Sequence, residues 1–259
     1  RALLGEVFGG DSWAPWRALL AGFYGLPLDD DEAAHWRALT ARSQPPQTPH
    51  SELWTVAGRR SGKSQAAALL AVYEACFRDH RDRLAPGERA SVLCVAADRR
   101  QAKQVFRYIR GLFESNKMLE RMITNETAET IELRNAAVIE VATSSYRTIR
   151  GYTIAACICD EISFWLGEST SNPDVEIINA VRPALATLDG KLIAVSSPYA
   201  RRGALWEAYR RHYGQDDAVL VAQAPSRTMN PTLPRRVVDE AEARDPSVAA
   251  SEYLARFRS

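Results

Sequence analysis

Seven consecutive residues constrain this chain more than any others: Gly58-Arg59-Arg60-Ser61-Gly62-Lys63-Ser64. They follow the short apolar run Leu53-Trp54-Thr55-Val56-Ala57, which reads as a strand. They precede residues 63–78, whose Ala-Leu-Val face predicts a helix. A glycine-containing turn from strand to helix aims backbone N–H groups into one concavity, and the helix start adds its positive end. Such a turn suits phosphate. Lys63 would neutralise β- and γ-phosphates, and Ser64 would offer its hydroxyl to Mg²⁺. The whole segment, Gly58, Arg59, Arg60, Ser61, Gly62, Lys63 and Ser64, is therefore the candidate nucleotide-binding loop. One departure is visible: in the pattern GxxxxGK[ST] the first glycine falls at position 57, which here is Ala57, and Gly58 stands one place later. Arg59 either reaches the γ-phosphate in a catalytic or coupling role or is a solvated loop arginine, and the same choice applies to Arg60.

Around this loop, apolar strands alternate with helices. Strands are expected at 91–96, 154–159, 192–195 and 219–222. Helices are expected at 99–115 and 203–213, with a hairpin of 130–133 and 138–141 about Arg134-Asn135. Alternation of this kind implies an α/β fold with a mostly parallel sheet covered by helices on both faces. Residues 1–50 read as a helical leader. Trp13, Trp16, Leu19, Leu20 and Phe23 recur at helical spacing, with Asp11 or Ser12 as cap, and Asp29, Asp30 and Asp31 open a second helix. The Pro-rich stretch 43–49 is a linker. The tail, 234–258, is expected to be helical with a break near Asp245-Pro246. The domains expected are thus the leader packed on the core (1–50), the core (51–225) and a helical linker or lid (226–259).

The strand 154–159 runs into Asp160-Glu161. Two carboxylates ending an apolar strand are costly unless they serve a site. Asp160 would hold Mg²⁺, and Glu161 would orient and deprotonate an attacking water. The other reading is an acidic pair opening the segment from Ile162. A water-orienting Glu favours ATP over GTP, and no NKxD motif is present: Asn116-Lys117 is followed by Met118-Leu119. The strand 192–195 ends in Ser196-Ser197-Pro198, either a γ-phosphate sensor that couples hydrolysis to motion or a plain strand-to-loop turn. Arg150, before Gly151, suits an arginine finger acting on a neighbouring subunit, or else a surface ion pair.

Composition narrows the class. The chain of 259 residues carries net charge +1, with 46% hydrophobic and 25% charged residues. Disordered, collagen-like and coiled-coil chains are excluded. No apolar run approaches the length of a membrane span, and no signal peptide is visible. The absence of an initiator Met suggests a fragment. All but four of the 33 basic residues are arginine. That bias suits phosphate contacts, and equally a GC-rich coding genome. Cys76, Cys94, Cys157 and Cys159 read as buried, reduced thiols of a cytosolic protein.

In this order GRRSGKS (58–64), RGYTIAACICDE (150–161) and VSSP (195–198) resemble the large terminase subunit of tailed double-stranded DNA phages. The tail from Asn230-Pro231 through Ser251–Phe257 resembles the segment that closes that family's ATPase domain. The resemblance implies a P-loop NTPase of RecA-like (ASCE) type, taking ATP and Mg²⁺, that drives viral DNA into a procapsid from the host cytoplasm. The implied partners are double-stranded DNA, the portal protein and procapsid, the small terminase subunit and further copies in a ring, with no membrane. By resemblance, Arg59 is the phosphate-loop arginine, Lys63 and Ser64 bind phosphate and Mg²⁺, and Asp160 and Glu161 are the metal and catalytic carboxylates. Likewise Ser196-Ser197-Pro198 match the coupling motif, and Arg150 a position acting in trans. The adenine-contacting glutamine has two candidates, Gln44 and Gln47, of which Gln47 is taken forward. The family's C-terminal nuclease is expected to be absent from this chain, so no DNA cleavage is expected. The alternatives are a superfamily 2-like helicase or other DNA-remodelling ATPase, a nucleotide-binding switch with negligible turnover, and a small-molecule kinase.

Overall fold

The computed structural model describes residues 5–144, 151–165 and 173–258. The first half of the chain contributes α1 (Gly5–Phe8), α2 (Ala14–Phe23), α3 (Asp30–Thr40), β1 (Glu52–Ala57), α4 (Lys63–Phe77), β2 (Ala90–Ala96), α5 (Arg99–Glu114) and α6 (Lys117–Glu120). Then come β3 (Ile123–Glu126), β4 (Thr130–Leu133), β5 (Ala137–Thr143), β6 (Ile154–Asp160), α7 (Pro173–Leu185) and β7 (Lys191–Ser196). The chain continues through α8 (Gly203–His212), β8 (Val219–Ala224), α9 (Ser226–Met229), α10 (Arg235–Arg244) and α11 (Pro246–Glu252). Among the described residues the sheet has eight strands. The pairs β1·β8, β2·β5 and β2·β6 are parallel, and β3·β4 and β4·β5 are antiparallel. This is the α/β sheet with helices that the alternating pattern implied.

The chain forms two compact units. One comprises residues 1–63 and 195–259. Its strand β1 is buried from Leu53 onward and pairs with β8 in the register Leu53↔Leu220 to Ala57↔Ala224. Its core includes Trp16, Leu19 and Phe23 of α2, and Trp36 and Leu39 of α3. α3 begins with a capping box: the Asp29 carboxylate accepts from the Glu32 N–H, and the Glu32 carboxylate accepts from the Asp29 N–H. The expected cap at Asp11 or Ser12 is displaced. Asp11–Trp13 form a 3-10 turn, and α2 starts at Ala14 with Pro15 in its first turn, where a missing N–H costs nothing. The helical tail ends at Glu252, short of the expected 258. Ala255 adopts a left-handed conformation, φ 55°, and the Arg256 N–H reaches back to Ala250 O. Arg258 then bridges to Ala200 as extended chain.

The other unit comprises residues 64–194. Its strands lie in the order β3-β4-β5-β2-β6, with β7 next to β6. Both β2 and β6 are buried along their whole length, as strands covered on two faces must be. The amphipathic helix α5 buries Val105, Ile109, Leu112 and Phe113. Its N-terminus is capped by Asp98, whose carboxylate accepts from the Arg100 and Gln101 N–H groups. Three elements of this unit were not expected: the four-residue helix α6, β3 and α7. β3 is mostly exposed and shows no alternation; only its pairing with β4 makes it a strand. α7 carries buried Ile177, Ile178, Val181 and Leu185 at helical spacing, a signal hidden by Pro183 within the helix.

Candidate functional site

The first unit supplies the loop. β1 delivers the chain buried to Ala57, and a Cβ on Gly58 would stand 2.2 Å from Ser226 Oγ and 2.6 Å from the Tyr253 carbonyl. That close approach explains why the glycine stands at 58. Arg59 is exposed, and its Nε lies 2.9 Å from Glu252 Oε2 while its N–H donates to Glu252 O at 2.5 Å. Arg60, also exposed, is left-handed at φ 62°, and its carbonyl accepts from Asn230 Nδ2 at 2.8 Å. Ser61 is buried, and its carbonyl accepts from Trp16 Nε1 at 2.7 Å. Gly62 has φ 90°, a conformation that glycine adopts without strain. Lys63 is buried, and its ammonium donates to Ala57 O (3.1 Å), Gly58 O (3.0 Å) and Ser197 Oγ (3.0 Å). The loop lysine is thus brought to the Ser-Ser-Pro turn at the end of β7. There the Ser196 hydroxyl donates to Ser197 O, and Pro198 is buried. Gln47 is exposed on the linker.

The second unit supplies the acidic strand end. The Ser64 hydroxyl donates to Asp160 Oδ2 at 3.0 Å, and Asp160 is only 3% exposed. Trp165 Nε1 donates to the Asp160 carbonyl at 3.0 Å and fixes the turn beyond it. Glu161 follows in a left-handed conformation, φ 52°, half-buried at the head of the 3-10 turn Ile162–Phe164. A non-glycine residue held this way stores roughly 1–3 kcal/mol of strain, of the kind that collects at functional sites. Behind Asp160, Cys157 Sγ and Cys159 Sγ are 3.9 Å apart. The hydrogen bond shared with Cys157, together with burial, pushes the Cys159 thiol well up, and burial does the same to Cys94. The Cys94 and Cys159 thiols stay protonated and inert. Arg150 lies outside the described residues.

Lys63 and Ser64 are consecutive in the chain, the last residue of one unit and the first of the other. Ser64 and Asp160 offer a hard hydroxyl and a hard carboxylate oxygen 3.0 Å apart, a donor set that fits Mg²⁺. Among the described residues no cluster of three or more His, Cys, Asp or Glu is arranged for a metal. A Mg²⁺ ion that takes one carboxylate plus phosphate and water oxygens does not call for one. Sequence reasoning did not attach Trp16, Asn230 or Glu252 to the loop. Each lies far from it in the chain, and no spacing rule connects them.

A family model described as "Uncharacterized protein MJ0330, N-terminal P-loop domain" matches residues 37–255. No curated protein matches the chain. Among solved structures, a point mutant of the Thermus phage P74-26 large terminase ATPase domain superposes with a TM-score of 0.65 at 17% identity, covering 96% of this chain and 98% of that one. The bacteriophage HK97 large terminase gives 0.60 at 16% identity, covering 94% of this chain and 55% of that one. A large terminase of a thermophilic bacteriophage in complex with ADP gives 0.61 at 10% identity, covering 95% and 53%. The chain thus spans about half the length of the latter two. At these identities the likeness is one of fold. Among the described residues no helix is long and apolar enough to cross a membrane.

Proposed function

The chain belongs to the family described as the N-terminal P-loop domain of the uncharacterized protein MJ0330, and from that premise we propose that it is a Mg²⁺-dependent ATPase powering movement of double-stranded DNA into a viral procapsid. The observation that carries the ATPase reading is the 3.0 Å hydrogen bond from Ser64 to the buried Asp160 carboxylate, directly after Lys63. It joins the phosphate-loop hydroxyl to an acidic strand end, the pair that P-loop NTPases use for the metal. The motor reading is supported by the likeness of fold to large terminase ATPase domains. In this reading DNA, the portal and procapsid, a small terminase subunit and further copies in a ring are partners, and the host cytoplasm is the place of action.

The roles follow from residue chemistry. Lys63, held by two carbonyls and a hydroxyl, keeps its ammonium group desolvated and aimed, ready for β- and γ-phosphate oxygens. The Gly58 and Arg59 N–H groups donate to Ala224 O and Glu252 O, so the loop amides proposed for phosphate are those from Arg60 onward. Ser64 and Asp160 would hold Mg²⁺, which would offset negative charge on the phosphate oxygens. Glu161 accepts a proton from water as its oxygen attacks the γ-phosphorus and the bond to the β–γ bridging oxygen breaks. Arg59 and Arg150 are the candidates for charge stabilisation in the transition state, Ser196-Ser197-Pro198 for sensing the loss of the γ-phosphate, and Gln47 for the adenine.

Two variants test this. Lys63→Ala should abolish binding of ATP and ADP. Glu161→Gln should bind both normally and lose about 10²–10⁴-fold in turnover. Hydrolysis by Glu161→Gln at the parental rate would remove Glu161 from the role of base, and normal ADP binding by Lys63→Ala would remove the loop from the site.

A further inference from the structure

We infer that Trp16 and Asn230 are positioning residues of the phosphate loop, each fixing the direction of one backbone amide that receives the nucleotide's phosphates. The inference rests on the nucleotide reading given above and deepens it. Two successive loop carbonyls are anchored by side chains from distant segments: Arg60 O by Asn230 Nδ2 at 2.8 Å and Ser61 O by Trp16 Nε1 at 2.7 Å. A trans peptide is planar, with C=O of one residue opposed to N–H of the next. Holding the Arg60 carbonyl therefore turns the Ser61 N–H the opposite way, and holding the Ser61 carbonyl does the same for the Gly62 N–H. Successive amides turned to one side make an anion-binding nest.

The Trp16 flank closes tightly on the loop. A Cβ on Gly62 would meet the Trp13 ring at 3.0 Å and Trp16 Nε1 at 3.3 Å. Trp16 is 2% exposed, so its N–H has exchanged water for this one carbonyl. Asn230 is itself braced, since its Oδ1 accepts from the Thr232 N–H and hydroxyl. The leader helix α2 and the segment after α9 are thus parts of the binding machinery.

The test uses the whole chain and two probes, ADP and inorganic pyrophosphate. Trp16→Phe keeps a ring and deletes the donor. Asn230→Ala acts on a half-buried side chain and guards against a Trp16 variant that fails to fold. Each should raise the Kd of both probes by about three- to tenfold, the range for one lost hydrogen bond. Each should also raise KM for ATP more than it lowers kcat. A purely structural role would lower the melting temperature of the nucleotide-free protein and leave both Kd values unchanged in the folded fraction. That result, with Lys63→Ala still abolishing ADP binding, would overturn the inference alone. Parental ADP binding by Lys63→Ala would overturn the nucleotide reading itself.

Discussion

At the scale of single residues, Gly58 shows how a departure from a motif becomes a requirement of the fold. The glycine stands one place later than the usual pattern, and at residue 58 Ser226 Oγ and the Tyr253 carbonyl leave no room for a Cβ. Gly58→Ala should cost about 1–3 kcal/mol of stability in urea denaturation, the range for overpacking a tight site. Adding Ser226→Ala should recover only part of the loss, because the Tyr253 contact is backbone and stays. Full recovery would show that the hydroxyl alone sets the limit. Glu161 is the opposite case: a bulky residue held left-handed beside the buried Asp160. Strand-to-loop position makes both carboxylates legible in the sequence, whereas the strain at Glu161 is visible only in the backbone.

At the scale of elements, caps and buried titratable groups give measurable handles. The capping box of α3 satisfies an orphan N–H with each of its two side chains. Asp29→Ala should therefore cost about 1 kcal/mol in chemical denaturation. His80 lies just beyond α4 and is 6% exposed, with no hydrogen-bond partner for Nε2 among the described residues. Burial lowers its pKa from the ordinary value of 6.5, helped by Arg78 and Arg83 and opposed by Asp79. Below pH 6.5 the unfolded chain then binds the extra proton more readily than the folded one. The stability contributed by neutral His80 is present above 6.5 and lost as pH falls through the window below it. Unfolding free energies measured at pH 7.5 and 5.5 should show this fall, and His80→Gln should flatten it. An equal fall in the variant would assign the effect to other groups.

At the scale of the whole molecule, the motor proposal makes a claim about assembly. If Arg150 acts on a neighbour's nucleotide, turnover per subunit should rise with protein concentration and respond to long double-stranded DNA. Arg150→Ala should remove the concentration dependence while leaving ADP binding unchanged. Turnover that is linear in protein and indifferent to DNA would leave a P-loop ATPase without evidence of a ring.

The strand–loop–helix around Lys63-Ser64, the acidic strand end at Asp160-Glu161 and the Ser-Ser-Pro turn after β7 are legible in the amino-acid order. So is the alternation that makes an α/β sheet. These are local facts: an apolar run, a helix start and the residues at a strand tip are written in consecutive positions. Packing settles what holds the loop, because its supports come from far along the chain. Trp16 stands 45 residues before Ser61, and Asn230 lies 170 residues after Arg60. It likewise decided that residues 1–63 and 195–259 share one compact unit, through the parallel pairing of β1 with β8. β3 became a strand only through its partner, and α7 a helix despite its proline. Periodicity tells which face a residue turns to the core. Which distant side chain meets it there is settled by packing alone.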